Sequence, residues 1–298
     1  PRTVELTSIS GQQIRLLDVI YQKGLFVAVG TAGIICTSPD GVTWTPRKSG
    51  MERDLSGVAY GNNVFVAVGQ DELMWMPGIM ISPVITTSPD GITWTVQPTD
   101  IPYGLNDVAF GNGIFLAVGY DPTMMGNNAR CVISINGIDW CERNTGTDFP
   151  LNGVGFGNGL FVVVAEDGSI FTSPFGESWD MYTDPQSRRL SKVAFGREIF
   201  VAVGGNSGFE PYAAMLTSPD GEEWTDRLND ATAGETQLHG IGFVNNTFMA
   251  VGGDSSGTIF QSDPISDSDD GGTLPVGPAA AGISALLVWW KRRKHRAD

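Results

Sequence analysis

The stretch "LNDVAFGNGIFLAVG", residues 105–119, decides how this chain folds. Apolar residues fill both flanks, and the central "GNG" supplies the positive φ that a tight hairpin needs, so it reads as two short strands. The phrase is not alone. It occurs as "LLDVIYQKGLFVAVG" (16–30), "LSGVAYGNNVFVAVG" (55–69), "LNGVGFGNGLFVVVA" (151–165), "LSKVAFGREIFVAVG" (190–204) and "LHGIGFVNNTFMAVG" (238–252). The aligned phenylalanines, Phe26, Phe65, Phe115, Phe161, Phe200 and Phe248, are 39 to 50 residues apart.

A second phrase follows five of the six copies. It is "TSPDGVTW" at 37–44, "TSPDGITW" at 87–94, "ISINGIDW" at 133–140, "TSPFGESW" at 172–179 and "TSPDGEEW" at 217–224. The run before this phrase reads as a third strand, and its tryptophan end begins a fourth. Four short antiparallel strands repeating every 40–50 residues or so predict the blades of a β-propeller. The expected fold is all-β: six four-stranded antiparallel blades over 1–262, with no long helical periodicity there. The sixth copy breaks off after "GTIFQSDP" (257–264) without a fourth strand. The N-terminal "TVEL" is therefore expected to close the ring, since closure protects sheet edges.

The phrase Ser-x-Asp-Gly-x-x-Trp resembles the Asp-box, or BNR repeat, of sialidases, some glycoside hydrolases, sortilin-type receptors and Ycf48-like photosystem assembly factors. The matching residues are Ser38, Asp40, Gly41 and Trp44; Ser88, Asp90, Gly91 and Trp94; and Ser218, Asp220, Gly221 and Trp224. Asn136 and Phe175 stand in place of Asp in the other two copies. The resemblance implies the fold; activity varies across such proteins. The box itself reads as structural, its Asp holding backbone N–H groups and its Trp packing back on the hairpin.

Catalysis is not expected. A sialidase-like site needs three convergent arginines, and none falls at a repeated inner-strand position. Asp18 and Asp107 could form a facing pair of the kind glycosidases use. The corresponding positions in the other blades are Gly57, Gly153, Lys192 and Gly240. No cofactor is implied. Only His239 and His295 are present, with no Cys-x-x-Cys, so a metal site is not expected. The acidic run "SDPISDSDDGG" (262–272) lacks the closing Glu of a calcium loop and reads as a linker. Two readings stay open for Cys131 and Cys141: a cross-strand disulfide, or two small hydrophobes.

The net charge is −15, and the last eight residues, "KRRKHRAD", hold five of the 18 basic side chains. A body more acidic still repels phosphate backbones, which argues against nucleic acid as a partner. The tail is different. Residues 263–273 form an acidic linker, and 274–290 carry no charge, which as helix spans ~25 Å. A transmembrane helix is expected there, with Leu286, Leu287, Trp289, Trp290, Lys291, Arg292 and Arg293 as its membrane end and 291–298 as a basic cytoplasmic tail. The propeller would then lie on the periplasmic or extracellular side. The tail resembles bacterial PEP-CTERM sorting signals, although Pro-Glu-Pro itself is missing.

The segment joining the second and third strands is short in blades one and four but long in blades two, three and five. Its content is "QDELMWMPGIMISPV" (70–84), "YDPTMMGNNAR" (120–130) and "GNSGFEPYAAM" (205–215). Met and aromatic residues on loops make adaptable contact surfaces. Leu73, Met74, Trp75, Met76, Ile79, Met80, Met124, Met125, Phe209 and Tyr212 are the expected partner-binding residues. The expected function is a non-catalytic, membrane-anchored propeller that docks on and stabilises or helps assemble a membrane protein complex, a photosynthetic one by the Ycf48 resemblance. The alternative is a secreted or surface propeller that binds or hydrolyses glycans.

Overall fold

In the computed structural model the described residues are 15–70, 83–121, 129–206, 212–228, 237–244, 246–252, 258–262 and 291–294. They form six four-stranded antiparallel sheets. Blade one is β1 (Leu16–Gln22), β2 (Leu25–Gly30), β3 (Ile35–Ser38) and β4 (Thr45–Arg47). Blade two is β5 (Asp54–Gly61), β6 (Val64–Gln70), β7 (Pro83–Ser88) and β8 (Thr95–Val96). Blade three is β9 (Gly104–Gly111), β10 (Ile114–Tyr120), β11 (Ala129–Ser134) and β12 (Cys141–Arg143). Blade four is β13 (Leu151–Gly157), β14 (Leu160–Ala165), β15 (Ser169–Ser173) and β16 (Asp180–Thr183). Blade five is β17 (Leu190–Gly196), β18 (Ile199–Asn206), β19 (Tyr212–Ser218) and β20 (Thr225–Asp226). Blade six is β21 (Leu238–Val244), β22 (Thr247–Gly252), β23 (Thr258–Gln261) and β24 (Lys291–Lys294). The chain divides into two compact units, 1–163 with 172–179, and 164–171 with 180–298.

The hairpin phrase folds as its turn residues dictate. Phe110 pairs with Phe115 and Tyr60 with Phe65 across the inner two strands. Asn112 and Gly113 carry φ of 47° and 82° at the tip, the geometry of a two-residue hairpin. Four of the second-strand phenylalanines, Phe65, Phe115, Phe161 and Phe200, are 0% exposed, whereas Phe26 of blade one is only partly buried. Each of the four is a core residue whose truncation to Ala would cost about 3–5 kcal/mol.

The first glycine of "GNG" does different work from the one expected. Gly61, Gly111 and Gly196 end their strands at ordinary φ, and a Cβ on them would collide with the rings of Phe110, Phe156 and Phe243 respectively. A missing side chain thus lets the next blade lay its aromatic ring directly on the strand. The tip asparagines complete the join. Asn62 Nδ2 donates to Gly113 O at 3.0 Å and Ile135 O at 2.8 Å, and Asn112 Nδ2 donates to Gly159 O and Pro174 O.

The fourth strand of blade six corrects one expectation. It is Lys291–Lys294, which pairs with β23 from Gln261↔Lys291 to Thr258↔Lys294, not the N-terminal strand. The open edge of β23 offers unpaired backbone groups that any extended segment satisfies. The "TVEL" strand, the linker and the segment 274–290, including Leu286, Leu287, Trp289 and Trp290, lie outside the described residues. Among the described residues no helix is long and apolar enough to cross a membrane.

Candidate functional site

The box turns show where their carboxylates are spent. Asp40 Oδ1 accepts the N–H groups of Val42 and Thr43, both at 2.8 Å, and the Ser38 hydroxyl at 2.9 Å. Ser88–Asp90 and Ser218–Asp220 repeat this arrangement. The N–H groups of Thr43 and Val42 hold Asp40 below the usual carboxylate range, and those of Thr93 and Ile92 do the same for Asp90. In Asp220 burial opposes the shift, and the Glu222 and Glu223 N–H groups overcome it. These acids are hydrogen-bond acceptors for their own turns, with no proton to offer near neutral pH.

In the three full boxes the tryptophan is tied down as well. The Nε1–H of Trp44, Trp94 and Trp224 donates to Gly41 O, Gly91 O and Gly221 O at 3.0–3.3 Å. The altered boxes differ. Asn136 keeps the turn, accepting Ile138 N–H and Asp139 N–H at 2.9 Å, while Phe175 leaves only the Ser173–Gly176 bond. In both of these blades the indole nitrogen, of Trp140 and Trp179, is buried without a hydrogen-bond partner.

The inner-strand carboxylates are spent too. Asp18 Oδ2 accepts Val58 N–H of the next blade at 2.9 Å, and Asp107 Oδ2 accepts Val154 N–H at 2.9 Å. Each aspartate uses its other oxygen on the residue that follows it, Val19 or Val108. The pair considered for glycoside chemistry therefore staples neighbouring blades.

Of the expected partner-binding residues, Tyr212 is described: it opens β19 and pairs with Asn206. Leu73, Met74, Trp75, Met76, Ile79, Met80, Met124, Met125 and Phe209 lie outside the described residues. The strand ends that carry the blade-two and blade-three loops are built around polar contacts. Arg130 reaches Asp121 at 3.1 Å and Glu142 at 3.8 Å, and its guanidinium lies 5.2 Å from the Tyr103 ring centre. Burial raises the Tyr103 hydroxyl well above its ordinary value, and the Glu142 charge adds to the shift. Burial also raises Tyr120, partly offset by a hydrogen bond from Gln70.

Cys131 is buried opposite Arg143, and exposed Cys141 is opposite Ile133, so this register separates the two thiols and both are free. Among the described residues no group of three His, Cys, Asp or Glu could hold a metal ion. Of the membrane-end residues, Lys291, Arg292 and Arg293 lie on β24.

No family model matches the chain, and no curated protein matches it. Solved structures do. A structure described as YCF48 bound to D1 peptide superposes with a TM-score of 0.58 at 16% identity, covering 84% of this chain and 78% of that one. The computationally designed Ika8 protein gives 0.52 at 15% identity, covering 85% of this chain and 72% of that one. YCF48 from Cyanidioschyzon merolae gives 0.49 at 16%, covering 81% and 93%. At such identities the likeness is one of fold: this chain is built as the Ycf48 and Ika8 chains are, from propeller blades.

Proposed function

We propose that the chain is a non-catalytic docking propeller that binds, and stabilises or helps assemble, a membrane protein complex. The observation that carries this is the use of its carboxylates. Asp18 and Asp107, the best-placed acids for glycoside chemistry, hold the backbone of the next blade instead. The insertions between β6 and β7 and between β10 and β11 leave the blade ends opposite the box turns, and their Met/Trp sequence suits protein contact. The D1 peptide held by the Ycf48 neighbour makes a peptide segment of a photosynthetic membrane protein the partner to test first.

The proposal includes a C-terminal anchor at 274–290, with the propeller on the periplasmic or extracellular side. A helix crossing the bilayer there would carry Lys291 to the far side and release β24 from β23. In that anchored form the N-terminal strand would take the vacated edge. Purification of the tagged full chain from detergent-solubilised membranes should recover a membrane protein in stoichiometric amount. Deleting 72–82 should abolish recovery while thermal unfolding stays cooperative. Undiminished recovery by the deletion variant would overturn the reading.

A further inference from the structure

Where the connection leaving β8 crosses onto blade three, it walls off a recess of about 490 Å³ against β11 and β12. Its sides are Ile101, Tyr103 and Trp140, and its acids are Asp100, Asp139 and Glu142, with no Lys or Arg among the residues that line it. Tyr103 is 3% exposed and Trp140 packs against the same core cluster, so the aromatic wall is held in place. Arg130 lies 5.2 Å from the Tyr103 ring centre and approaches Glu142 at 3.8 Å, so Glu142 already has a basic neighbour and the open charge of the recess rests on Asp100 and Asp139. Asp139 is oriented by Asn136 Nδ2 at 2.8 Å, a bond that the usual box aspartate could not donate.

The same architecture forms a recess one blade earlier, which serves as an internal comparison. There the connection leaving β4 meets β7 and β8 around about 610 Å³, lined by Met51, Glu52, Arg53 and Gln97 among others. That lining has one acid, one base and no aromatic residue, and Trp94 is tied to Gly91 O instead. The cavity is thus a product of blade geometry, whereas the lining is particular to blade three. The altered box coincides with it: Asn136 replaces Asp, and the Trp140 indole is free of the glycine carbonyl.

From these contacts we infer that the blade-three recess receives an arginine side chain, or less tightly a lysine, presented by an extended basic segment of a partner polypeptide. A guanidinium is flat and poorly hydrated, so it stacks on an indole while its N–H groups reach carboxylates on the rim. Asp100 and Asp139 beside the Trp140 wall favour a cation over a sugar, which would need the stacking wall but not the charge. The size is that of a pocket for a side chain with its flanking backbone, not for a folded domain. The strongly acidic body adds long-range attraction for a basic segment. This inference is independent of the docking role proposed above.

The test is calorimetric titration of the full chain with a Gly/Ser peptide carrying one central Arg, with its Gln counterpart, and with a neutral gluco-oligosaccharide. Binding of the Arg peptide alone is expected, weakened about tenfold in the double variant Asp100→Asn/Asp139→Asn and falling with salt. Trp140→Phe should weaken it less than Trp140→Leu, while Met51→Ala, in the blade-two recess, should leave it unchanged. Equal binding of the Gln peptide, unchanged affinity in the double variant, or saturable binding of the oligosaccharide instead would each overturn the inference.

Discussion

The carboxylate of Asp107 accepts the backbone N–H of Val154 at 2.9 Å, joining the innermost strand of blade three to that of blade four. One blade earlier, Gly57 stands where a Cβ would meet Asp107 Oδ1 at 2.7 Å, so the glycine makes room for the acid. Asp107→Ala leaves a buried donor without its acceptor and should cost about 1–3 kcal/mol. Gly57→Ala should cost a similar amount through crowding. Asp18→Ala, which acts on Val58 at a more open site, should cost less. Urea unfolding midpoints of the three variants check the order.

The box aspartates set an acid limit. Asp40, Asp90 and Asp220 have folded-state values below the ordinary 3.8, so the unfolded chain binds their protons first. Their stabilisation is fully present above that ordinary value and is lost as pH falls through the depressed folded ones. Replacing all three with Asn should flatten the fall of melting temperature between about pH 5 and pH 2. An unchanged acid slope would show that other carboxylates set it.

Phe175 occupies the aspartate position of the blade-four box and is 52% exposed. Phe175→Asp should restore the acceptor for the N–H groups two and three residues on, as Asp40 does for Val42 and Thr43. A gain of about 1 kcal/mol is expected, read as a higher urea midpoint with unchanged slope. A loss would mean that the ring is packed or shielded by a partner in a way the aspartate cannot replace.

Ile259 and Arg293 are register partners between β23 and β24. With Cys141→Ser removing the exposed thiol, cysteines placed at 259 and 293 should cross-link under mild oxidation in the purified chain in aqueous buffer. In sealed membranes a spanning 274–290 would keep them apart, and the cross-link should fail. Efficient cross-linking in membranes would count against the anchored form.

Blade number and strand order were legible because each Phe115-like residue recurs with its hairpin, and a repeated phrase must form a repeated unit. The closing strand was not. β24 is set by which extended segment reaches the β23 edge, and four residues of "KRRK" carry no periodicity that announces a strand. The role of Gly111 was also hidden, because its need for bare backbone comes from Phe156, on another blade. The recess beside Trp140 was missed for the same reason: it arises where residues 97–103 cross a neighbour. The visible signal was Asn136 standing in place of the box aspartate.

The bare glycines give the array a direction. Phe110 rests on Gly61, Phe156 on Gly111 and Phe243 on Gly196, always a later ring on an earlier strand. A chain cut after blade two presents only a notch at Gly61, whereas one lacking blade two leaves the Phe110 ring facing water. Blades three, four and six leaving the ribosome therefore each meet a landing place that the preceding blade has already made, so these joins can form as synthesis proceeds.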